Sequence, residues 1–71
     1  MKKIINGKTY NTETARKLAV ADEGELYEKK NGEFFIHINI KEIGLEMIHP
    51  VDKKQAQFWA DKIAEEYTPF G

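Results

Sequence analysis

The stretch DKKQAQFWADKIAEEY, from Asp52 to Tyr67, decides the fold of this chain. Its apolar side chains recur at spacings of three and four, which places them on one face of an α-helix. Asp52 and Gln55 form a capping-box pattern at the start, and Thr68-Pro69 is expected to end the helix. Roughly 14–15 residues form too short a helix to be stable alone, so a sheet must support it. The predicted buried residues are Ala56, Trp59, Ala60, Ile63 and Tyr67.

Phe58 does not fit this helical pattern, because it lies well off the apolar stripe. Two interpretations remain open from the sequence. Phe58 either covers an edge of the sheet or is exposed as a contact for another molecule.

Two Asn-Gly pairs predict β-hairpins, since both central residues of the favoured two-residue turn need positive φ. Asn6-Gly7 joins two very short β-prone runs. Asn31-Gly32 joins two longer arms that span Glu25–Lys41. The second hairpin is therefore the stronger prediction.

Strict alternation in the second arm of this hairpin predicts a half-buried antiparallel strand. Its core face should carry Phe34, Ile36, Ile38 and Ile40, and its other face Phe35, His37, Asn39 and Lys41. Residues 45–49 predict a further strand that ends at Pro50, with Leu45 and Met47 on the core face. For residues 12–21 the favoured interpretation is a turn at residues 12–15 followed by a strand at residues 16–21, and the alternative is a short helix over residues 12–21.

The order of elements, strands first and one helix last, predicts the α+β class. We expect one domain over residues 1–71, with a small antiparallel sheet of about four to five strands and the C-terminal helix on one face.

Composition excludes several classes of function. Eleven basic and twelve acidic residues give a net charge of −1, which argues against a strongly basic nucleic-acid surface. The chain has no cysteine, and hence no disulfide, thiolate nucleophile or cysteine-based zinc site. It has no apolar run long enough to span a membrane and no signal-peptide pattern at its N-terminus. We expect a cytoplasmic protein.

The sequence contains no recognisable catalytic motif. His37 and His49 are the candidates for a general base at neutral pH, and both lie on predicted strands. No phosphate-binding loop, metalloprotease motif or nucleophile elbow occurs. We therefore expect no enzyme activity, no metal and no cofactor.

Two surface features are candidates for binding. The acidic run at residues 22–28 is either a solvated loop or a patch that contacts a basic surface of a partner. The strand face opposite the helix carries several aromatic residues. A second layer over this face, a dimer interface or simple half-exposure of the rings is favoured over the stacking of nucleic-acid bases. The aromatic-face residues are Tyr10, Tyr27, Phe35 and His37.

Three segments resemble one family in the same order. They are MKKIINGKTYNTETA at residues 1–15, LYEKKNGEFFI at 26–36 and IHPVDKKQAQFWADK at 48–62, followed by a closing Phe-Gly. They are similar to small proteins of Gram-positive bacteria and their mobile elements, some of which act as anti-CRISPR inhibitors of type II effectors. Longer members carry a glycine-rich insertion after the hairpin, where this chain has only residues 39–44. The resemblance implies carriage on a mobile element and transfers no catalytic residue.

The leading hypothesis is a non-catalytic protein-binding module that inhibits a host defence nuclease by covering one of its surfaces. The alternative is a nucleic-acid-binding or regulatory accessory protein of a plasmid or prophage, and a self-associating domain, such as a homodimer, is a third hypothesis. The face opposite the helix should carry the function. The predicted partner contacts are Glu23, Glu25, Tyr27, Phe35, His37 and Phe58.

Overall fold

The computed structural model describes residues 1–67. In chain order, the elements are strands β1 (Lys2–Ile5), β2 (Lys8–Asn11), β3 (Arg16–Ala21), β4 (Gly24–Glu28) and β5 (Phe34–Ile40), a 3-10 turn (Lys41–Ile43), strand β6 (Leu45–Val51), helix α1 (Lys53–Lys62) and strand β7 (Glu66–Tyr67). The strands form a five-stranded antiparallel sheet of order β6-β5-β4-β3-β7 and a separate β1-β2 ribbon. The predicted α+β class, with one helix on one face of a sheet, is confirmed.

Helix α1 packs on one face of the sheet, called the helix face. Ala56 and Ala60 are buried against it, because small residues allow the helix to approach the strands closely. Phe34 and Ile36 of β5 belong to the same cluster, as their alternation predicted. The other buried members of this cluster are Leu18, Ala19 and Leu26.

The β1-β2 ribbon covers the opposite face of the sheet, called the ribbon face. Tyr10 of the ribbon packs edge-on against Phe35 with a ring-centroid distance of 5.4 Å. Tyr27 stacks on the same ring at 5.2 Å, and Ile48 completes the buried cluster. An ion pair of 2.6 Å between Lys8 and Glu33 ties the ribbon to the β4-β5 hairpin.

The two Asn-Gly turns adopt different geometries. Asn6 and Gly7 both have positive φ, 50° and 76°, as the two-residue turn requires. In the β4-β5 hairpin Gly32 has positive φ and Asn31 does not. The Lys29 N–H donates to the Glu33 carbonyl, and the Lys29 carbonyl accepts from the Gly32 N–H. This connection is therefore the longer type of hairpin loop, in which a turn is followed by a glycine of positive φ. The predicted hairpin is present, with shorter arms than expected.

The helix is shorter than its sequence pattern predicted. It begins with the expected capping box between Asp52 and Gln55, but it covers ten residues and ends at Lys62. The Glu65 N–H donates to the Val20 carbonyl at 2.8 Å, and the chain then pairs with β3 as β7. Tyr67 therefore lies on a strand, not on the helix. The expected stop at Thr68-Pro69 lies outside the described residues.

Residues 16–21 form a strand, which confirms the favoured interpretation over the helix. The β3-β4 register shifts between Lys17 and Ala19, so Leu18 is the extra residue of a bulge. The bulge lets Leu18 and Ala19, which are neighbours in sequence, both enter the cluster on the helix face.

Strand β6 runs through Pro50 to Val51 instead of ending before the proline. Proline is tolerated because β6 is an edge strand. Leu45 and Met47 lie on the helix face as predicted, since they pair with Ile40 and Ile38. Each is nevertheless 39% exposed, because the short helix does not reach them.

Candidate protein-binding surface

The ribbon buries most of the face that the sequence predicted as the binding surface. Tyr27, Phe35 and His37 are only 6%, 0% and 9% exposed. The expectation that these three residues are exposed contacts is wrong, since the local alternation carried no sign that the N-terminal ribbon folds over them. Of the alternatives left open for this face, a second layer is the one that the structure shows.

His37 links three neighbouring strands through two carboxylates. Its Nδ1 lies 3.1 Å from Glu25 Oε1 on β4, and its Nε2 lies 2.9 Å from Glu46 Oε2 on β6. Lys17 approaches the second Glu25 oxygen at 3.6 Å. The two ring nitrogens of His37 therefore join β4, β5 and β6 through side-chain contacts, and these contacts help to hold the edge strand β6 in place.

The surroundings of Glu25 shift two pKa values. Burial raises the pKa of the Glu25 carboxyl, but the hydrogen bond from His37 and the charge of Lys17 outweigh burial, so this pKa is lowered overall. Burial, together with the charge and the hydrogen bond of Glu25, raises the pKa of the Tyr27 phenol to about 12. Glu25 thus stays ionised and Tyr27 stays neutral near pH 7. The Tyr27 hydroxyl donates to Glu25 at 3.3 Å, so Tyr27 and Glu25 contribute to the stability of the sheet.

The remaining predicted contacts do not form one surface. Glu23 is exposed in the β3-β4 turn, and Glu25 is half-buried beside His37. Phe58 is 61% exposed, and its spacing from Ala56 and Ala60 places it on the solvent side of α1. The interpretation that Phe58 covers a sheet edge is therefore wrong. Its role as a contact stays a prediction.

An uncovered part of the helix face forms the candidate binding surface. A ten-residue helix is about 15 Å long, whereas a seven-residue strand such as β5 or β6 is about 23 Å long. The helix therefore leaves one end of these two strands bare. We call this region the apolar corner, and its residues are Ile38, Ile40, Leu45, Met47, Trp59 and Ile63.

Within the apolar corner, a groove of ≈ 380 Å³ separates the end of α1 from the β3-β4 turn. Ile36 and Ile38 line it from the sheet, and Trp59 and Ile63 line it from the helix. Ile63, predicted to be buried, is 51% exposed because the helix ends just before it. Three acids also line the groove, and they are Asp22, Glu23 and Glu65.

The free edge of β6 is less suited to binding than this groove. The Asn39 N–H donates to the Glu23 carbonyl, so the backbone groups of Asn39 face the β4 side of β5. Backbone groups of successive residues in a strand point to opposite sides, so those of Ile38 face β6. Since Ile38 pairs with Met47, the backbone groups of Pro50 point away from β5. A proline without an N–H on an edge strand discourages the addition of another strand.

The alternation of apolar residues in the sequence already indicated the apolar corner. Leu45 and Met47 alternate with polar residues and share the face of Ile38 and Ile40. Their exposure was missed because the helix was expected to continue to Tyr67 and to cover them.

Within residues 1–67, no group of three or more metal-ligating side chains is placed to hold an ion. No helix among these residues is long and apolar enough to cross a membrane. No protein-family model, curated protein sequence or solved structure matches the chain. The candidate site therefore rests on the geometry alone.

Proposed function

We propose that this protein is a non-catalytic protein-binding module of a mobile element, and that it inhibits a host defence nuclease by covering one of the nuclease's surfaces. The apolar corner carries this proposal. Contiguous apolar side chains that are exposed and rimmed by polar groups are typical of protein-interaction sites. The module acts in the cytoplasm, where the nuclease works.

The shape of the corner supports a macromolecular partner. Leu45 and Met47 are each 39% exposed and continue the surface of Ile38 outward from the groove. A small ligand would be enclosed by a pocket, whereas this surface stays open along β6. An open apolar surface with a groove at one end suits a protein segment that lies across it.

The link to a defence nuclease rests on the resemblance of three sequence segments to mobile-element proteins. The acidic rim of the groove is compatible with it, because nucleases bind phosphates through basic surfaces. A chain of net charge −1 that covers such a surface would block access to nucleic acid without any chemistry of its own.

A DNA-cleavage assay with a type II CRISPR effector tests this function. Wild-type protein added before the target DNA should inhibit cleavage in a dose-dependent way. Met47→Ser and Ile63→Ser should each lose inhibition, since they remove exposed apolar contacts while leaving the buried clusters intact. Size-exclusion chromatography should show the wild-type protein, and neither variant, bound to the effector.

Ile4→Ser is the matched control, because Ile4 is a 66% exposed aliphatic residue on the ribbon, on the other face of the sheet. It should inhibit as the wild type does. Full inhibition by Met47→Ser and Ile63→Ser would refute the apolar corner as the site. Absence of both binding and inhibition by the wild type would refute the proposed target.

A further inference from the structure

We infer that the groove of the apolar corner accepts an apolar side chain from a partner segment that also carries Lys or Arg beside it. This inference rests on the proposed function, because it names the kind of segment that the same surface binds. Two features of the groove, its charge and its shape, carry the inference.

The charge of the groove is one-sided. The acids Asp22, Glu23 and Glu65 line it, and no Lys or Arg does so among the described residues. All three acids are exposed. The whole chain has nearly balanced charge, so the groove is a local concentration of negative charge next to apolar walls.

Backbone hydrogen bonds hold this acidic rim in place. The Glu23 carbonyl accepts from the Asn39 N–H at 2.9 Å, and the Glu65 N–H donates to the Val20 carbonyl at 2.8 Å. The backbone of Glu23 and of Glu65 is therefore held at the rim of the groove. A rim whose backbone is already ordered loses less conformational entropy when a partner binds.

The interior of the groove suits an apolar side chain. Ile38, Trp59 and Ile63 supply its apolar walls, and Gly24 adds no side chain that would fill it. A volume of ≈ 380 Å³ lies at the low end of the range for sites that bind small groups. It is sufficient for one or two side chains, not for a folded element.

Lys and Arg are the residues that best suit the positions beside the bound apolar side chain, because these positions have both apolar walls and an acidic rim. Their aliphatic stems lie along apolar surface while their charged ends stay in water, where the rim carboxylates meet them. An acidic segment would place like charges against Glu23 and Glu65, which is unfavourable. Lys and Arg are also the residues that contact phosphates, so a nuclease segment held in the groove would be withheld from nucleic acid.

Trp59 provides a direct readout, because it is the single tryptophan of the chain and lines the groove. Two synthetic amphipathic peptides of Leu and Lys or of Leu and Glu, with Leu at identical positions, are titrated against the full chain. The Leu-Lys peptide should shift the emission of Trp59 to shorter wavelength with a saturable curve. The Leu-Glu peptide should bind at least about tenfold more weakly, and salt should weaken the Leu-Lys complex.

Two double charge-reversal variants separate the effect of the rim carboxylates from the attraction that the net charge of the protein exerts on the peptide. Glu23→Lys/Glu65→Lys should weaken the Leu-Lys peptide by about tenfold, as a few exposed charge pairs allow, and should strengthen the Leu-Glu peptide. Glu13→Lys/Asp61→Lys changes the net charge equally, away from the groove, and should keep the wild-type preference. Equal binding of both peptides, equal effects of the two double variants, or no response of Trp59 would overturn the inference.

The two proposals fail in different ways. If the nuclease is inhibited and Glu23→Lys/Glu65→Lys inhibits as well as the wild type, the proposed function stands and the basic partner segment is refuted. If the Leu-Lys peptide binds as expected and the nuclease is not inhibited, the groove preference stands and the target is refuted.

Discussion

Gly24 and Phe35 show how single residues shape this molecule. Gly24 sits where β4 leaves the acidic turn, and it is buried. A Cβ atom at this position would lie 2.9 Å from the backbone oxygen of His37. Phe35, on the neighbouring strand, is fully buried, and its ring contacts the rings of Tyr10 and Tyr27. Gly24 allows a close approach between β4 and β5, and Phe35 contributes the fully buried ring of the ribbon-face cluster.

Gly24→Ala should destabilise the fold, because the added methyl group meets backbone that cannot move aside. We expect a loss of about 1–3 kcal/mol, as is typical of overpacking in a filled site. Urea unfolding followed by circular dichroism measures this loss. Ala21→Gly, on the other side of the turn, is the comparison, and it should lose only the roughly 0.5–1 kcal/mol by which glycine weakens a strand. A wild-type midpoint for Gly24→Ala would contradict the close approach of β4 to β5.

Phe35→Ala should cost more than Trp59→Ala. Phe35 is fully buried, and removing a buried phenyl ring costs about 3–5 kcal/mol. Trp59 is half-buried, so its removal should cost less, about 2 kcal/mol. Urea midpoints from circular dichroism rank the two variants, with Phe35→Leu as the conservative control. The reverse order would show that the helix face, not the ribbon face, dominates stability.

At the scale of elements, the ribbon and the helix cover opposite faces of the same sheet. The ribbon is tied down by Tyr10, whose ring lies against Phe35 and beneath the ammonium group of Lys29 at 4.4 Å. Lys8 and Glu33 add an ion pair at its turn. The helix is tied down at its end, where Glu65 bonds to β3. Neither attachment involves residues close in sequence.

The ion pair at the ribbon should make stability depend on pH. Hydrogen bonds from Lys8, Asn31 and Lys29 lower the pKa of the Glu33 carboxyl to about 2, and the hydrogen bond to Glu33 raises the pKa of Lys8. The lowered pKa of Glu33 stabilises the fold at pH values above the unfolded pKa of about 4.3. This contribution is lost as the pH falls towards 2, because the unfolded state takes up the proton first.

Glu33→Gln should therefore be less stable than the wild type at pH 7, and the difference should shrink towards pH 2. Thermal unfolding between about pH 2 and pH 7 measures it. Lys8→Met removes one of the groups that lower the pKa of Glu33. Its free energy of unfolding should therefore vary less with pH than that of the wild type, as for Glu33→Gln. A difference that stays constant over this range would mean that the Lys8–Glu33 contact does not form in solution.

At the scale of the whole molecule, both faces of the sheet depend on β5. Phe35 belongs to the cluster under the ribbon, and its neighbour Ile36 belongs to the cluster under the helix. The radius of gyration is 11.4 Å, close to the value of about 11 Å expected for a compact domain of this length. The two layers therefore share one strand, so unfolding of β5 would expose both clusters.

Unfolding should consequently be a single cooperative transition. In a Tyr67→Phe variant the remaining tyrosines, Tyr10 and Tyr27, both belong to the ribbon-face cluster, so near-UV circular dichroism of the tyrosines reports the ribbon face and Trp59 fluorescence reports the helix face. The two transitions in urea should coincide. The free energy of unfolding should be about 4–10 kcal/mol for a chain of this size. An earlier transition in the tyrosine signal would show that the ribbon detaches first.

The sequence by itself determined the features that depend on neighbouring residues. The capping box of Asp52 and Gln55, the Asn6-Gly7 turn and the alternation along β5 were all predicted, because each follows from the local geometry of helices, turns and strands. These features were enough for the α+β class. They also identified Ile38, Ile40, Leu45 and Met47 as residues of one face.

Only the tertiary structure decided where the helix ends, which face is covered and which remains open. The bond from Glu65 to Val20 ends the helical pattern early, and the packing of Tyr10 on Phe35 buries the face predicted to bind. Both contacts join segments far apart in the chain, so no local period contains them. The apolar corner is the result of both: the short helix leaves it open, and the ribbon lies on the other side of the sheet.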